Sequence, residues 1–142
     1  KIALSTMEPQ IDPIGSVVGV KGVRISAVSQ QLWGENIDCV EYSPIPEMFV
    51  ARALSPAIIK TVQIIKSEDP REKDKAIVTI PSDQKSKAIG KAGLNIRLAS
   101  MLTRCDIELV EIDENTKVSE NSTTIPSDEK TKDTSELEAL FK

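Results

Sequence analysis

A Gly-x-x-Gly segment occurs twice in this 142-residue chain, 71 residues apart and in matching surroundings. The first copy reads Val17-Val18-Gly19-Val20-Lys21-Gly22-Val23-Arg24-Ile25, the second Ala88-Ile89-Gly90-Lys91-Ala92-Gly93-Leu94-Asn95-Ile96. Asp12 and Asp83 keep the same offset, each seven residues ahead of its loop. Downstream, Ile37-Asp38-Cys39-Val40-Glu41 matches Ile107-Glu108-Leu109-Val110-Glu111 at an offset of 70. The second copy therefore lacks one residue, most simply in the turn after its second helix. A register shared over some thirty residues means two copies of one supersecondary unit. The period is too long for a solenoid and suits two small domains in tandem.

Local signals fill in the unit. Asp12 followed by Pro13 is a helix start, an acceptor at the cap and a proline at the first helical position. A short helix over 13–18 stops at Gly19, and a second, carrying Ile25, Val28 and Leu32 at helical spacing, follows Gly22 and ends by Gly34. Residues 37–42 read as a strand, and residues 2–4 supply one ahead of the helices. After the break at Ser43-Pro44-Ile45-Pro46, a helix over 46–54 presents Met48, Phe49, Ala53 and Leu54. Strands are expected over 61–65 and 76–80. The second unit then repeats the first: a cap at Ser82 or Asp83, a helix to Ile89, the loop, a helix over 94–102 and a strand over 107–112. The expected division is 1–45, 46–112 and a tail over 113–142.

Charge is unevenly placed. The tail holds eight acids against four bases, a net −4, whereas residues 1–112 hold fourteen of each. The tail is too polar to bury a core. Within it, Ser135 and Glu138 form a capping box, and Leu137, Leu140 and Phe141 share a face; a frayed terminal turn is the preferred reading over a partner-docking helix. With aromatics at 3% of residues, the core must be aliphatic and aromatic stacking cannot be the main grip on a ligand. There is no histidine, and Cys39 and Cys105 stand 66 residues apart, which excludes the usual zinc patterns and favours small buried hydrophobes. No metal, no cofactor and no catalysis are expected. No apolar run approaches the ~18 residues of a membrane span, and a cytoplasmic location is expected.

The loops carry the chemistry. A single Gly-x-x-Gly is more often a helix-packing device than a ligand site. Here it recurs in register with a lysine inside each copy, Lys21 and Lys91, and arginines, Arg24 and Arg97, in the following helices. Amides and the positive end of a helix dipole favour an anion at such a place. Neither loop fits the nucleotide P-loop or the dinucleotide fingerprint. Two equivalent sites suit a polymeric phosphate, and a GxxG loop commonly clamps ~4 nucleotides of single-stranded nucleic acid. From Asp83 to Arg104 there are five bases against one acid, so the second loop should bind phosphate more strongly than the first. Lys85, Lys87 and Arg104 read equally well as a solvated helix face.

These segments resemble tandem K-homology (KH) domains, in particular the paired KH domains of the NusA family of bacterial transcription elongation, termination and antitermination factors. The resemblance rests on Ile11-Asp12-Pro13-Ile14-Gly15-Ser16-Val17-Val18-Gly19-Val20-Lys21-Gly22, on Asn36-Ile37-Asp38-Cys39-Val40-Glu41, on Phe49-Val50-Ala51 and Ala53-Leu54-Ser55-Pro56-Ala57, and on Ala88 to Ser100; it covers residues 1–112. It implies an α+β chain of two type II KH folds, each a small three-stranded sheet packed on helices, the first truncated at its N-terminus. It implies binding of single-stranded nascent RNA, with RNA polymerase and antitermination factors as partners, largely through other domains. Gly19, Val20, Lys21 and Gly22, then Gly90, Lys91, Ala92 and Gly93, match the family's loops, and Arg24, Ile25, Lys87, Ile89, Asn95 and Arg97 join them as candidate RNA-binding residues. The chain departs from the family at Ala92, where a polar or acidic residue is common, and at Arg104-Cys105, where Gly-Trp is common. A monomer is expected. The rival reading is a protein-docking scaffold, kept open by the zero net charge of residues 1–112.

Overall fold

A computed structural model describes residues 1–113; the expected turn around Leu137, Leu140 and Phe141 lies outside them. The chain enters as strand β1 (Ile2–Leu4) and reaches helix α1 (Pro13–Val18). Asp12 caps α1 as its sequence requires, its Oδ1 accepting from the Ile14 amide at 3.1 Å. Helix α2 (Val23–Gln31) follows the first loop. It ends through Trp33 (φ 59°) and Gly34 (φ 82°), with the Gly34 amide donating to the Ser29 carbonyl at 2.9 Å. Strand β2 (Cys39–Glu41) pairs in parallel with β1, Ala3 opposite Val40. A parallel pair needs a crossover, and the two helices with their glycine loop provide it.

The second unit opens with α3 (Pro46–Ala53), β3 (Thr61–Ile65) and β4 (Asp74–Pro81). The βααβ pattern then recurs as β4, α4 (Lys85–Ile89), α5 (Leu94–Thr103) and β5 (Cys105–Ile112). The sheet order is β3-β4-β5, with β3 antiparallel to β4 and β4 parallel to β5. Alternation along β4 sends Ala76, Val78 and Ile80 into the core. They meet Val50, Ala53 and Leu54 of α3, Ala88 of α4 and Ala99 of α5. The core is aliphatic, as the scarcity of aromatics demands.

Several expectations need correction. The second unit has three strands, but the first has a two-stranded sheet. In the first unit Val40 is buried, while Val28 and Leu32, expected on the covered stripe of α2, are 49% and 47% exposed. On α3 the covered stripe is Val50, Ala53 and Leu54, at i, i+3 and i+4, and Met48 faces solvent. Phe49 is half-buried and packs edge-on against Tyr42, ring centroids 5.1 Å apart.

Asp83 does not cap its helix. The chain enters α4 through a 3₁₀ turn, Ser82–Gln84, and no side chain caps either segment. The buried Gln84 instead accepts from the Ile58 amide at 3.0 Å, pinning the turn to the segment ahead of β3. Cys105 is buried and Cys39 half-buried, both free. Burial pushes both thiols up; the Asp38 charge adds to the effect at Cys39.

The two units touch through polar contacts at their joint. Lys1 Nζ donates to Asp38 Oδ2 at 2.6 Å in the first unit and to the Ser55 carbonyl at 2.9 Å in the second. Arg52 of α3 donates to the Tyr42 carbonyl at 3.3 Å and lies 3.7 Å from the Glu41 carboxylate.

Candidate nucleic-acid interface

The two glycine loops have one geometry. Gly19 and Gly90 lie at φ/ψ of 76°/174° and 75°/178°, and Gly22 and Gly93 at 73°/18° and 70°/14°. The first pair occupies a region open essentially to glycine, and the second pair is left-handed. Between them Lys21 (53°/25°) and Ala92 (55°/27°) are also left-handed, a conformation that L-residues adopt at a cost. Each loop closes by an amide-to-carbonyl bond, Gly22 to Gly19 at 3.1 Å and Gly93 to Gly90 at 3.2 Å.

The turn has a chemical consequence. Gly22 and Gly93 are the N-caps of α2 and α5, and neither cap carries a side chain that could bond the first turn. The positive end of each helix therefore faces the loop without a built-in carboxylate or hydroxyl, which suits an external anion. Val20, Lys21, Lys91 and Ala92 stand exposed at the tips. Lys87 and Arg97 are exposed on either side of the second loop. Lys85, farther back on α4, is ion-paired with Glu111 of β5. Ile25 and Ile89 are half-buried behind the loops.

Arg24 and Asn95 occupy the same position in the two copies, and both hold the helix pair shut. Arg24 Nη1 donates to the Ser16 carbonyl at 2.9 Å. Asn95 Nδ2 lies within bonding distance of the Lys87 carbonyl at 3.2 Å, the Ala88 carbonyl at 2.9 Å and, at the end of α3 in the same unit, the Leu54 carbonyl at 3.2 Å. The sequence places both beside the RNA candidates; their side-chain partners in the fold are carbonyls of the chain itself. The same closeness explains the first glycine of each loop. A Cβ at Gly90 would lie 2.6 Å from the Asn95 Cβ, and one at Gly19 would lie 2.8 Å from the Arg24 Cγ.

Clefts flank the loops. One of about 570 Å³ runs between α1 and α2 beside Gly19, Val20 and Arg24. Another, of about 230 Å³, sits at the joint, with Gly90, Lys91, Leu94 and Leu98 on one wall and Lys1, Asn36 and Asp38 on the other. The second wall comes from the first unit. No sequence pattern marked it, because it depends on how the units pack. Among the described residues no group of three His, Cys, Asp or Glu side chains could hold a metal, and no helix is long and apolar enough to cross a membrane.

Comparison with known proteins fits this architecture. Residues 46–117 match the NusA-like second KH domain and residues 1–42 the NusA-like first KH domain. The chain belongs to the NusA family of KH domains. That family is one of transcription termination and antitermination factors and not of enzymes. NusA from Helicobacter pylori strain 26695 is 43% identical over an alignment of 160 residues that takes in 100% of this chain and 40% of the relative. The Thermus thermophilus and Bacillus subtilis NusA proteins are 44% and 45% identical over 78% and 77% of the chain. The chain spans 40% or less of the length of these curated relatives. A solved structure described as the crystal structure of APE1850 superposes with a TM-score of 0.54 at 26% identity, covering 70% of this chain and 71% of that one. NusA-type KH modules thus account for both βααβ copies and for the added α3 and β3 of the second.

Proposed function

We propose that this chain binds single-stranded RNA, each glycine loop clamping the phosphate backbone, within a transcription termination/antitermination factor that works with RNA polymerase. The first module lies within residues 1–45 and the second within 46–112. One observation carries the reading: two loops, 71 residues apart, share a strained backbone geometry and an uncapped helix end. Such a geometry is costly to keep twice unless the backbone must approach a ligand in the same way at both places. A repeating phosphate chain is such a ligand. The exposed Lys91, Lys87 and Arg97 add charge at the second loop, whereas Lys21 stands at the first with Arg24 already committed to Ser16.

The test is a titration of a ten-nucleotide single-stranded RNA at two salt concentrations. Affinity should fall as salt rises, because the counterions that binding releases gain less entropy on entering a more concentrated solution. Lys91→Asp with Ala92→Asp should weaken binding about tenfold or more, ~1.4 kcal/mol, and by more than Val20→Asp with Lys21→Asp. Equal losses would refute the ranking of the loops, and no loss from either pair would overturn the loop assignment. Failure to bind at low salt would favour the docking-scaffold reading, which the zero net charge of residues 1–112 supports.

A further inference from the structure

The cleft at the joint has the size and lining of a base pocket. At about 230 Å³ it falls below the ~300–1,000 Å³ of a site for a drug-sized ligand, so it suits one ring system. It is continuous with the second loop, since Gly90 and Lys91 form part of its wall. Leu94 and Leu98, one turn apart on α5, give it an apolar flank. The opposite wall offers Asn36 and Asp38, polar side chains of the first unit.

Asp38 is an unusual residue to find beside an expected phosphate path, where a bare carboxylate would repel the ligand. Here its charge is offset. Lys1 Nζ bonds Oδ2 at 2.6 Å, and the Lys1 side chain is itself 2% exposed and fixed at its other side by the Ser55 carbonyl. The Asp38 side chain is half exposed, so acceptor capacity remains toward the cleft. We propose that this cleft takes the base next to the phosphate held by the second loop, and that Asp38 selects guanine there. The inference rests on the RNA-clamp reading above.

The chemistry favours guanine because its Watson–Crick edge carries adjacent N1–H and N2–H donors, which a carboxylate accepts together. Adenine and cytosine each offer one amino group. Uracil offers N3–H between two carbonyl oxygens, and those oxygens repel a carboxylate. Good paired contacts to a base edge discriminate by ~5–100-fold. Asp38 is therefore a specificity residue contributed by one module to a base anchored on the other.

The experiment scans guanine, inosine and uracil through each position of an otherwise unchanged ten-nucleotide RNA, measuring affinity by fluorescence anisotropy. One position should prefer guanine to uracil about tenfold or more, with inosine, which lacks the N2 amino group, in between. In Asp38→Asn the guanine-to-uracil ratio at that position should fall toward one, with binding still sensitive to salt. In Lys87→Ala, beside the loop and outside the cleft lining, all sequences should weaken together and the ratio should persist. A ratio unchanged by Asp38→Asn, or no position at which inosine differs from guanine, overturns the pocket and leaves the RNA clamp standing. The inosine series uses the unaltered protein, so it decides the matter even if Asp38→Asn folds poorly. Absence of binding to every RNA would instead sink the clamp itself.

Discussion

Gly19 and Gly90 have the same backbone angles, yet they are not equally replaceable. At either place an alanine would be forced into a region that costs ~1–3 kcal/mol. Beyond that shared penalty, the new methyl at Gly19 would press on the Arg24 Cγ, part of a flexible exposed side chain that can move aside. At Gly90 it would lie 2.6 Å from the Asn95 Cβ and 3.0 Å from its backbone nitrogen, neither of which can swing away. Gly90→Ala should therefore lower the thermal midpoint clearly more than Gly19→Ala. Matching melts would show that the backbone angle is the whole of the constraint. The glycines were visible in the sequence as a repeat, but this asymmetry was not. It depends on the residue five places on, Arg24 in one copy and Asn95 in the other. Both looked like polar side chains available to RNA, because a sequence shows which groups can donate and not which carbonyls lie within reach.

At the scale of elements, the repeat made the βααβ unit legible, because loop geometry, helix spacing and strand pairing all follow from local pattern. The missing residue also falls where the sequence put it. Trp33 and Arg104, still 71 apart, both adopt left-handed angles at the ends of α2 and α5, so the register is lost only after them. The capping aspartates show where local pattern fails. Asp12 and Asp83 are equivalent in sequence, but Pro13 starts α1 directly after its cap, whereas Pro81 leads into a 3₁₀ turn that Gln84 ties to Ile58. Asp12→Ala should cost ~0.5–2 kcal/mol, the usual loss of a cap, while Asp83→Ala should change stability by less than ~0.5 kcal/mol. Chemical denaturation of the two variants side by side would read the difference. A comparable loss at Asp83 would mean that its carboxylate serves α4 through the dipole. The first unit's sheet pairs β1 with β2 alone, where family likeness implied three strands.

For the whole molecule, what matters is that two loops are held in one frame. Lys1 bridges Asp38 to the Ser55 carbonyl, and Arg52 of α3 reaches the Tyr42 carbonyl and the Glu41 carboxylate. These contacts were not legible in the sequence, since each depends on how the two units pack. Their consequence is that a strand seated on one loop meets the other at a high effective concentration, provided it is long enough to span both. Linkage of this kind can raise overall affinity ~10²–10⁴-fold without any new contact. An RNA of four nucleotides, about the length one loop clamps, should therefore bind weakly. One of ten nucleotides should bind ~100-fold tighter or more. Val20→Asp with Lys21→Asp should erase most of that advantage while leaving the short RNA, seated on the more basic second loop, little affected. Affinities for the two lengths within a few-fold of each other would mean that a single loop carries the binding. The first loop would then be the better candidate for contact with a protein partner.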